Sequence, residues 1–477
     1  MPSVAQLDHA HVWHPFTQMR DWLRREPIVI TSGRGAVLRD ARGREYLDAN
    51  SSIWTNLHGH RHPRLDAALT RQLAKLAHCS ALGLANEPAA RLAAELVRAA
   101  IPQSAVRSPH LAKVFFSDDG STSLEAALKL AYEFARRTRG PRPGPRFLAL
   151  EGAYHGDTVG AMSVGYSDLF HRGFKGLLFQ ADRVMAPYCY RCPFNRARPE
   201  RADAREYRRC GWECVGHVER RLARQAKRGA PYAGFVFEPG IQGAAGMIPQ
   251  PAGWLTRVAE LARGHGALLL ADEVMTGFGR AVPSCSSSSS SSANLFASHA
   301  AGVQPDFLCL AKGLTGGYLP MAATLTTPAV FDAFLGEYAE FKTFFHGHSY
   351  TANPLGAAVA RESLRLLHTR ASLSARRRLE AALRGELQAL WALPQVGDVR
   401  QVGLAAGVEL VRDWRTREPY DLGERAGLRV GEAMARRGVL TRPIGSVIVV
   451  MPPYCTTPAQ VRRMVAALAD AVAEVLG

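Results

Sequence analysis

Three things are scarce in this chain of 477 residues, and each scarcity excludes something. No apolar run approaches the roughly 18 residues that a membrane-crossing helix needs, so no membrane span is expected. The stretch from Met1 to Trp13 has no basic segment followed by an apolar one, so no secretory leader is expected and the cytoplasm is the default compartment. Lysine stands only at Lys75, Lys113, Lys129, Lys175, Lys227, Lys312 and Lys342. The formal charge of +17 is therefore almost all arginine, scattered in short clusters such as Arg136-Arg137, Arg376-Arg377-Arg378 and Arg436-Arg437. Scattered arginine speaks to solubility and nonspecific attraction, so nucleic acid is not an expected partner.

What is present is an ordinary globular composition, 47% hydrophobic, in a chain long enough for two or three domains. Eight cysteines occur, and four of them form the pairs Cys189-x2-Cys192 and Cys210-x3-Cys214, around an Arg-rich stretch. That spacing lies near zinc-ribbon spacing. The favoured reading is a surface loop with reduced thiols and no metal, and a structural zinc clip is the alternative. Ser286–Ser292 is an unbroken serine tract, which cannot bury apolar surface and reads as a flexible loop.

From about residue 62 to 344, short apolar runs alternate with helical patterns, which predicts an α/β fold with a mostly parallel sheet covered by helices. Expected strands are Val114–Phe116, Phe147–Leu150, Gly234–Phe237, Ala267–Ala271, Phe307–Ala311 and Met321–Leu325. Before them, Val37–Asp40 and Glu45–Asp48 flank Ala41-Arg42-Gly43 as a hairpin. Beyond residue 355 come strands around Gly407–Leu410 and Ser446–Val450, then a helix opened by the capping box Thr457-Pro458-Ala459-Gln460.

Two of the strands end abruptly in a charge: Ala267–Ala271 stops at Asp272, and Phe307–Ala311 stops at Lys312. The carboxyl edge of a parallel sheet is where such folds bind ligands. A lysine desolvated there becomes a nucleophile, and a carboxylate there can pair with a pyridine nitrogen. A cofactor that needs both is pyridoxal 5'-phosphate (PLP). Gly120-Ser121-Thr122, between the strand Val114–Phe116 and a helix, could receive a phosphate. Tyr154, within Gly152–Thr158, could stack on a ring, and Asp157 could order its surroundings. Glu238 ends a further strand in an acid, and Arg442 could grip a substrate carboxylate bidentately.

Taken together these pieces resemble the class III, fold type I PLP-dependent aminotransferases over nearly the whole chain. The resemblance rests on Trp13–Met19, Ser51–Trp54 with His58-Gly59-His60, Tyr154–Thr158, Ala271–Arg280, Lys312–Gly317, Phe345–Thr351 and Thr441-Arg442-Pro443. The Trp-His-Pro opening and the Arg442 segment point to the branch that serves biotin biosynthesis. The resemblance implies a large PLP-binding domain over residues 62–345, with inserts near 189–214 and 283–294. It also implies a smaller α+β domain built from residues 346–477 and joined by the segment 1–61.

By the same resemblance, Lys312 is the catalytic residue and the covalent anchor of the cofactor, and it shuttles a proton. Asp272 pairs with the pyridine nitrogen, Gly120 and Ser121 hold the phosphate, and Tyr154 flanks the ring. His348 and Ser349 reach the phosphate from a second subunit, which implies a homodimer with shared active sites. Phe16, Ile53, Trp54, Tyr154, Gly347 and Arg442 border the substrates, with Asp157, Glu238 and Arg280 in support. The implied reaction aminates 8-amino-7-oxononanoate to 7,8-diaminononanoate, with S-adenosylmethionine as amino donor. Lysine as donor, or a class III transaminase acting on ω-amino acids or diamines, is the alternative. Two departures stand out. Many relatives have a tryptophan pair at Ile53-Trp54, and many have tyrosine at Phe16, so a stacking face is kept here and a hydroxyl lost.

Overall fold

The structure, a computed structural model, describes residues 1–101, 110–140, 144, 146–284 and 294–477. The serine tract Ser286–Ser292 lies outside the described residues. A central sheet is built from β1 (Lys113–Ser117), β2 (Phe147–Leu150), β3 (Asp182–Val184), β4 (Gly234–Phe237), β5 (Leu268–Asp272), β6 (Phe307–Leu310) and β7 (Ala322–Thr326). Their order across the sheet is β1-β7-β6-β5-β4-β2-β3. Pairing is parallel from β6 through β5, β4 and β2 to β3, whereas β7 runs antiparallel to both its neighbours. Every residue of β2, β4 and β6 is buried. That is why these strands read as unbroken apolar runs: helices cover both faces of the sheet, so no polar alternation survives.

The N- and C-terminal parts meet in a second sheet. Val37–Asp40 pairs antiparallel with Glu45–Asp48, Ile30–Arg34 adds outside it, and Val439–Leu440 joins parallel to Glu45–Asp48. A third sheet, Val396–Val402, Ala405–Leu410 and Val447–Val450, is antiparallel throughout. The closing helix Pro458–Leu476 starts at the expected box: Thr457 N–H donates to Gln460 Oε1 (2.9 Å) and Gln460 N–H to Thr457 Oγ1 (3.3 Å). It buries Val461, Met464, Val465, Leu468 and Val472 on one face. Among the described residues no helix is long and apolar enough to cross a membrane.

The Cys/Arg-rich insert is mostly exposed or half-buried, as expected of a surface loop, but it is anchored at its ends. Cys189 and Cys214 are buried, and the insert is clamped to the third sheet by charge. Tyr188 Oη donates to Glu409, and Arg191 Nε donates to Glu409 Oε1 at 2.6 Å. Arg400, fully buried, bridges Asp398 (3.0 Å) and Glu409 (2.6 Å) and donates to the carbonyls of Gly246 and Met247. Arginines that read as surface charge are thus spent inside, where each needs a partner. Cys189, Cys192, Cys210 and Cys214 form no disulfide, and Arg208 Nη1 contacts Cys210 Sγ at 3.1 Å. No group of three or more His, Cys, Asp or Glu among the described residues stands ready to hold a metal ion.

His58 sits in the core behind the Lys312 loop, with Nε2 3.0 Å from Ser363 Oγ. Burial, aided by nearby His62 and arginines, pushes it down from 6.5 to about 3. A histidine depressed by folding stabilises the fold above its unfolded value and loses that contribution as pH falls from 6.5 toward 3. Stability should therefore fall with acid at about 1.4 kcal/mol per pH unit for this one proton. Thermal melts should show a shallower acid decline for His58→Gln than for the wild type, and parallel declines would refute the assignment.

Candidate active site

Asp272 closes β5 and Lys312 follows β6 after one intervening residue, Ala311, and the two strands are adjacent and parallel with Asp272 opposite Cys309. Both charges therefore emerge on the same carboxyl edge. Lys312 has φ +44°, a left-handed backbone that is strained for a residue with a Cβ. The short Lys312–Thr315 turn that follows packs closely, since a Cβ on Gly313 would lie 2.8 Å from Leu57 Cδ1. Burial holds the Lys312 amine below its usual range, with Asp272 and Glu238 opposing. Its Nζ lies 4.8 Å from the centre of the Trp54 ring.

Asp272 is oriented from two sides. Its Oδ1 accepts from Val274 N–H (3.0 Å), and its Oδ2 lies 2.7 Å from Nδ1 of His155. His155 is buried; burial disfavours its charged form, but the Asp272 contact outweighs this and raises its affinity for a proton. Sequence reasoning quoted the stretch containing His155 without assigning it a role. The signal was there: a histidine just past β2, at the same sheet edge as Asp272. Glu238, just past β4, is also buried, accepting from Tyr154 N–H (3.3 Å) and Gly243 N–H (2.8 Å), and burial raises it to about 7.

The helix Gly120–Arg139 opens beside this pair. Asp119 is its N-cap, accepting from Thr122 N–H at 3.0 Å, so this carboxylate faces its own helix. Asp118 turns to His348 Nδ1 at 2.9 Å. Ser121 Oγ accepts from Asp157 N–H (3.3 Å). Gly156, at φ +118°, passes so near that a Cβ there would lie 2.0 Å from Ser121 Oγ. Two backbones thus converge on one hydroxyl at a helix N-terminus, a setting suited to an anion.

Around them stand the expected substrate residues. Tyr154 Oη donates to Asp157 Oδ2 at 2.6 Å, and Phe16 meets Tyr154 edge-on at 6.4 Å. Arg442 Nη2 donates to the Phe16 carbonyl at 2.6 Å, so it tethers the N-terminal segment within the same cleft. Ile53 and Trp54 lie on a left-handed turn, Ser51–Trp54, with φ from +46° to +67°. Arg280 is buried beneath that turn, donating to Pro452 O (2.7 Å), Ser51 Oγ (3.1 Å) and Asn56 O (3.4 Å). It supports the wall and does not enter the cleft. Asn50, unassigned by sequence, fixes the Trp54 indole by accepting from Nε1 at 2.7 Å. Gly347 and Ser349 are exposed, and His348 is partly buried beside Asp118.

A phosphorylated pyridine aldehyde fits what is here: a desolvated amine, an acid fixed by a histidine, a helix N-terminus pinched by Gly156, and an aromatic face. This sheet order, with its lysine and aspartate at the carboxyl edge, defines a fold type I PLP-dependent enzyme. The profile of the family described as Aminotransferase class-III matches residues 19–472. The chain is 46% identical to an adenosylmethionine-8-amino-7-oxononanoate aminotransferase of Nitratidesulfovibrio vulgaris over 98% of its own length and 81% of the relative's. It is 45% identical to the enzyme so named from Geobacter sulfurreducens, over 100% and 98% of the two chains. The crystal structure of the Methanocaldococcus jannaschii enzyme of that name superposes with a TM-score of 0.87 at 37% identity, covering 99% of each chain. A PLP-bound amine transaminase from an uncultivated Pseudomonas species superposes with a TM-score of 0.84 at 32% identity, covering 97% and 98%. The chain belongs to the class III aminotransferases, and its cofactor is PLP.

If Gly156 clears the phosphate end of this site, then Gly156→Ala should bind PLP at least about tenfold more weakly while melting as a folded protein, because an added methyl must displace Ser121. Dialysis followed by visible absorbance measures the retained cofactor. Retention equal to wild type would remove Gly156 from the site.

Proposed function

We propose that this chain transfers an amino group to 8-amino-7-oxononanoate, forming 7,8-diaminononanoate for biotin biosynthesis, with S-adenosylmethionine as donor. The single observation that carries the reading is full-length similarity to enzymes of that name, 45% over all of this chain for the Geobacter sulfurreducens relative. Bound PLP supplies an aldehyde that can take up and release an amino group and a ring that withdraws electrons.

The residues divide the remaining work. Asp272, fixed by His155, would pair with the pyridine nitrogen and favour its protonated form. Lys312 holds the cofactor and carries a proton at Nζ; burial leaves that amine free enough of its charge to act as a base. Gly120 and Ser121 bind the phosphate, and Tyr154 covers one face of the ring. Trp54, Ile53 and Phe16 exclude water over the substrate, and Arg442 binds the acceptor's carboxylate with the guanidinium nitrogens that the Phe16 carbonyl leaves free.

The acting unit is a homodimer in the cytoplasm, with His348 and Ser349 of each protomer completing the other's phosphate site. Exposed Leu82, Leu84, Phe341, Phe345 and Tyr350 support a second copy, since such side chains gain by being covered. Residues 62–345 form the cofactor domain, and residues 346–477 with the segment 1–61 form the smaller one, a division supported by the pairing of Val439–Leu440 with Glu45–Asp48.

Lys312→Ala should retain the fold and lose at least about 1,000-fold in turnover, since it removes both anchor and proton carrier. Wild-type turnover in that variant would defeat the reading. Arg442→Ala should weaken 8-amino-7-oxononanoate by about ten- to a hundredfold, the worth of a charge-assisted hydrogen bond, and change the donor half-reaction by less than about threefold. Single-turnover assays with S-adenosylmethionine and with lysine measure the donor step separately. Rapid amination of the cofactor by lysine alone would replace S-adenosylmethionine as donor.

A further inference from the structure

His171 is a buried histidine that none of the chemistry above uses. It ends the short helix Asp168–His171, is 1% exposed, and lies against the ring assigned to cover the cofactor. Its imidazole stacks on Tyr154 with planes 16° apart and centres 5.9 Å apart. Phe170, its neighbour in sequence, meets both Tyr154 (6.0 Å) and Phe16 (5.5 Å) edge-on. The plane of Tyr154 is therefore set from behind by one histidine and from the side by two phenylalanines.

The hydrogen bonds fix which nitrogen carries the proton. Ser167 N–H donates to His171 Nδ1 at 3.1 Å, so Nδ1 is the acceptor. Burial disfavours the charged ring, with Asp157 and the Gly165 main chain opposing. A neutral imidazole that accepts at Nδ1 must carry its hydrogen at Nε2. That N–H faces Asp157 Oδ1 at 3.4 Å, and the Gly165 main chain also lies close to the ring. The other carboxylate oxygen of Asp157 takes the Tyr154 hydroxyl at 2.6 Å, and Asp157 N–H reaches Ser121 Oγ at 3.3 Å. One aspartate thus ties the stacking ring to the phosphate end, and the histidine faces it from the buried side.

We propose that His171 is a positioning residue: by presenting Nε2–H to Asp157 from behind Tyr154, it fixes the tilt of the ring that covers the cofactor. The inference rests on the assignment of Tyr154 as that cover. It also explains a choice of hydroxyl: committed to Asp157, the Tyr154 phenol serves as a stacking face and gives its proton to no substrate.

The two amide substitutions separate the two nitrogens. Glutamine places an amide N–H where Nε2 stands, and asparagine places an acceptor where Nδ1 stands. The readout is the visible circular dichroism of the bound cofactor, which reports ring orientation, with the melting temperature of each holoenzyme alongside. His171→Gln should keep the wild-type band. His171→Asn should lose about half of its amplitude or more and release PLP several-fold faster on dilution, since the N–H that faces the Asp157 carboxylate is gone. If the two variants have equal bands, whether both like wild type or both diminished, His171 does not act through Asp157 and the inference is overturned. Tyr154→Ala tells that failure from failure of the underlying assignment: an unchanged band there means Tyr154 does not cover the cofactor, whereas a changed band with equal His171 variants leaves Tyr154 in place and removes only His171.

Discussion

Everything at the carboxyl edge of the sheet follows from β5 and β6 lying side by side, parallel, with Asp272 opposite Cys309. That register puts an acid and an amine on the same edge without either having to reach. A one-residue slip would turn the alternate side chains of one strand toward the opposite face and separate the pair. The register is guarded by burial, because β6 is apolar on both faces and any slip would expose or bury the wrong groups. The price is two charged groups in a dry setting, and the structure meets it with partners: His155 for Asp272, and the acids Asp272 and Glu238 for Lys312.

From that pair outward, control passes through backbone and not through long side chains. Glu238 takes N–H groups from the loops on either side, at Tyr154 and Gly243. A Cβ on Gly243 would lie 3.3 Å from Trp54 Cζ3, so the turn that Glu238 holds also backs the tryptophan over Lys312. The same turn is held at its far end by Arg400, through the carbonyls of Gly246 and Met247. Arg400 in turn shares Glu409 with Arg191 of the insert. The insert is thereby joined to the wall of the cleft by an unbroken series of buried hydrogen bonds, which are stronger there than in water and costly to break singly.

The sheet and its reactive pair were legible in the sequence because buried strands write themselves as apolar runs, and a charge at the end of such a run is conspicuous. β3 was not legible: Asp182-Arg183-Val184 has no apolar run, since it lies at the edge of the sheet and pairs on one side only. The anchoring of the insert was not legible for the opposite reason. Arg191, Arg201 and Arg205 look like surface residues, yet their guanidinium groups serve Glu409, main-chain carbonyls and Asp203. Partners more than 180 residues away cannot be read from local pattern. Asn50 was missed for a related reason: it acts through the Trp54 indole, so neither spacing nor composition marks it.

The turn Ser51–Trp54 shows what such remote partners can sustain. Four successive non-glycine residues at positive φ, one of them β-branched, cost about 1–2 kcal/mol apiece. Left alone the segment would unwind. It is held because Asp48 accepts both the N–H (3.0 Å) and the hydroxyl (2.9 Å) of Ser52, Asn50 takes the Trp54 indole, and Ser51 Oγ donates to Met451 O at 2.7 Å. Arg280 adds a donor to Ser51 Oγ from below. Bonds of about 1 kcal/mol each, and about 1.5–3 where a charge takes part, are of the same order as the strain. The turn is therefore close to balance and wholly dependent on groups that never meet a substrate. It sets Trp54 over the amine in the fold itself, with Lys312 Nζ 4.8 Å from the ring centre, so that the cost of orienting that ring falls on folding.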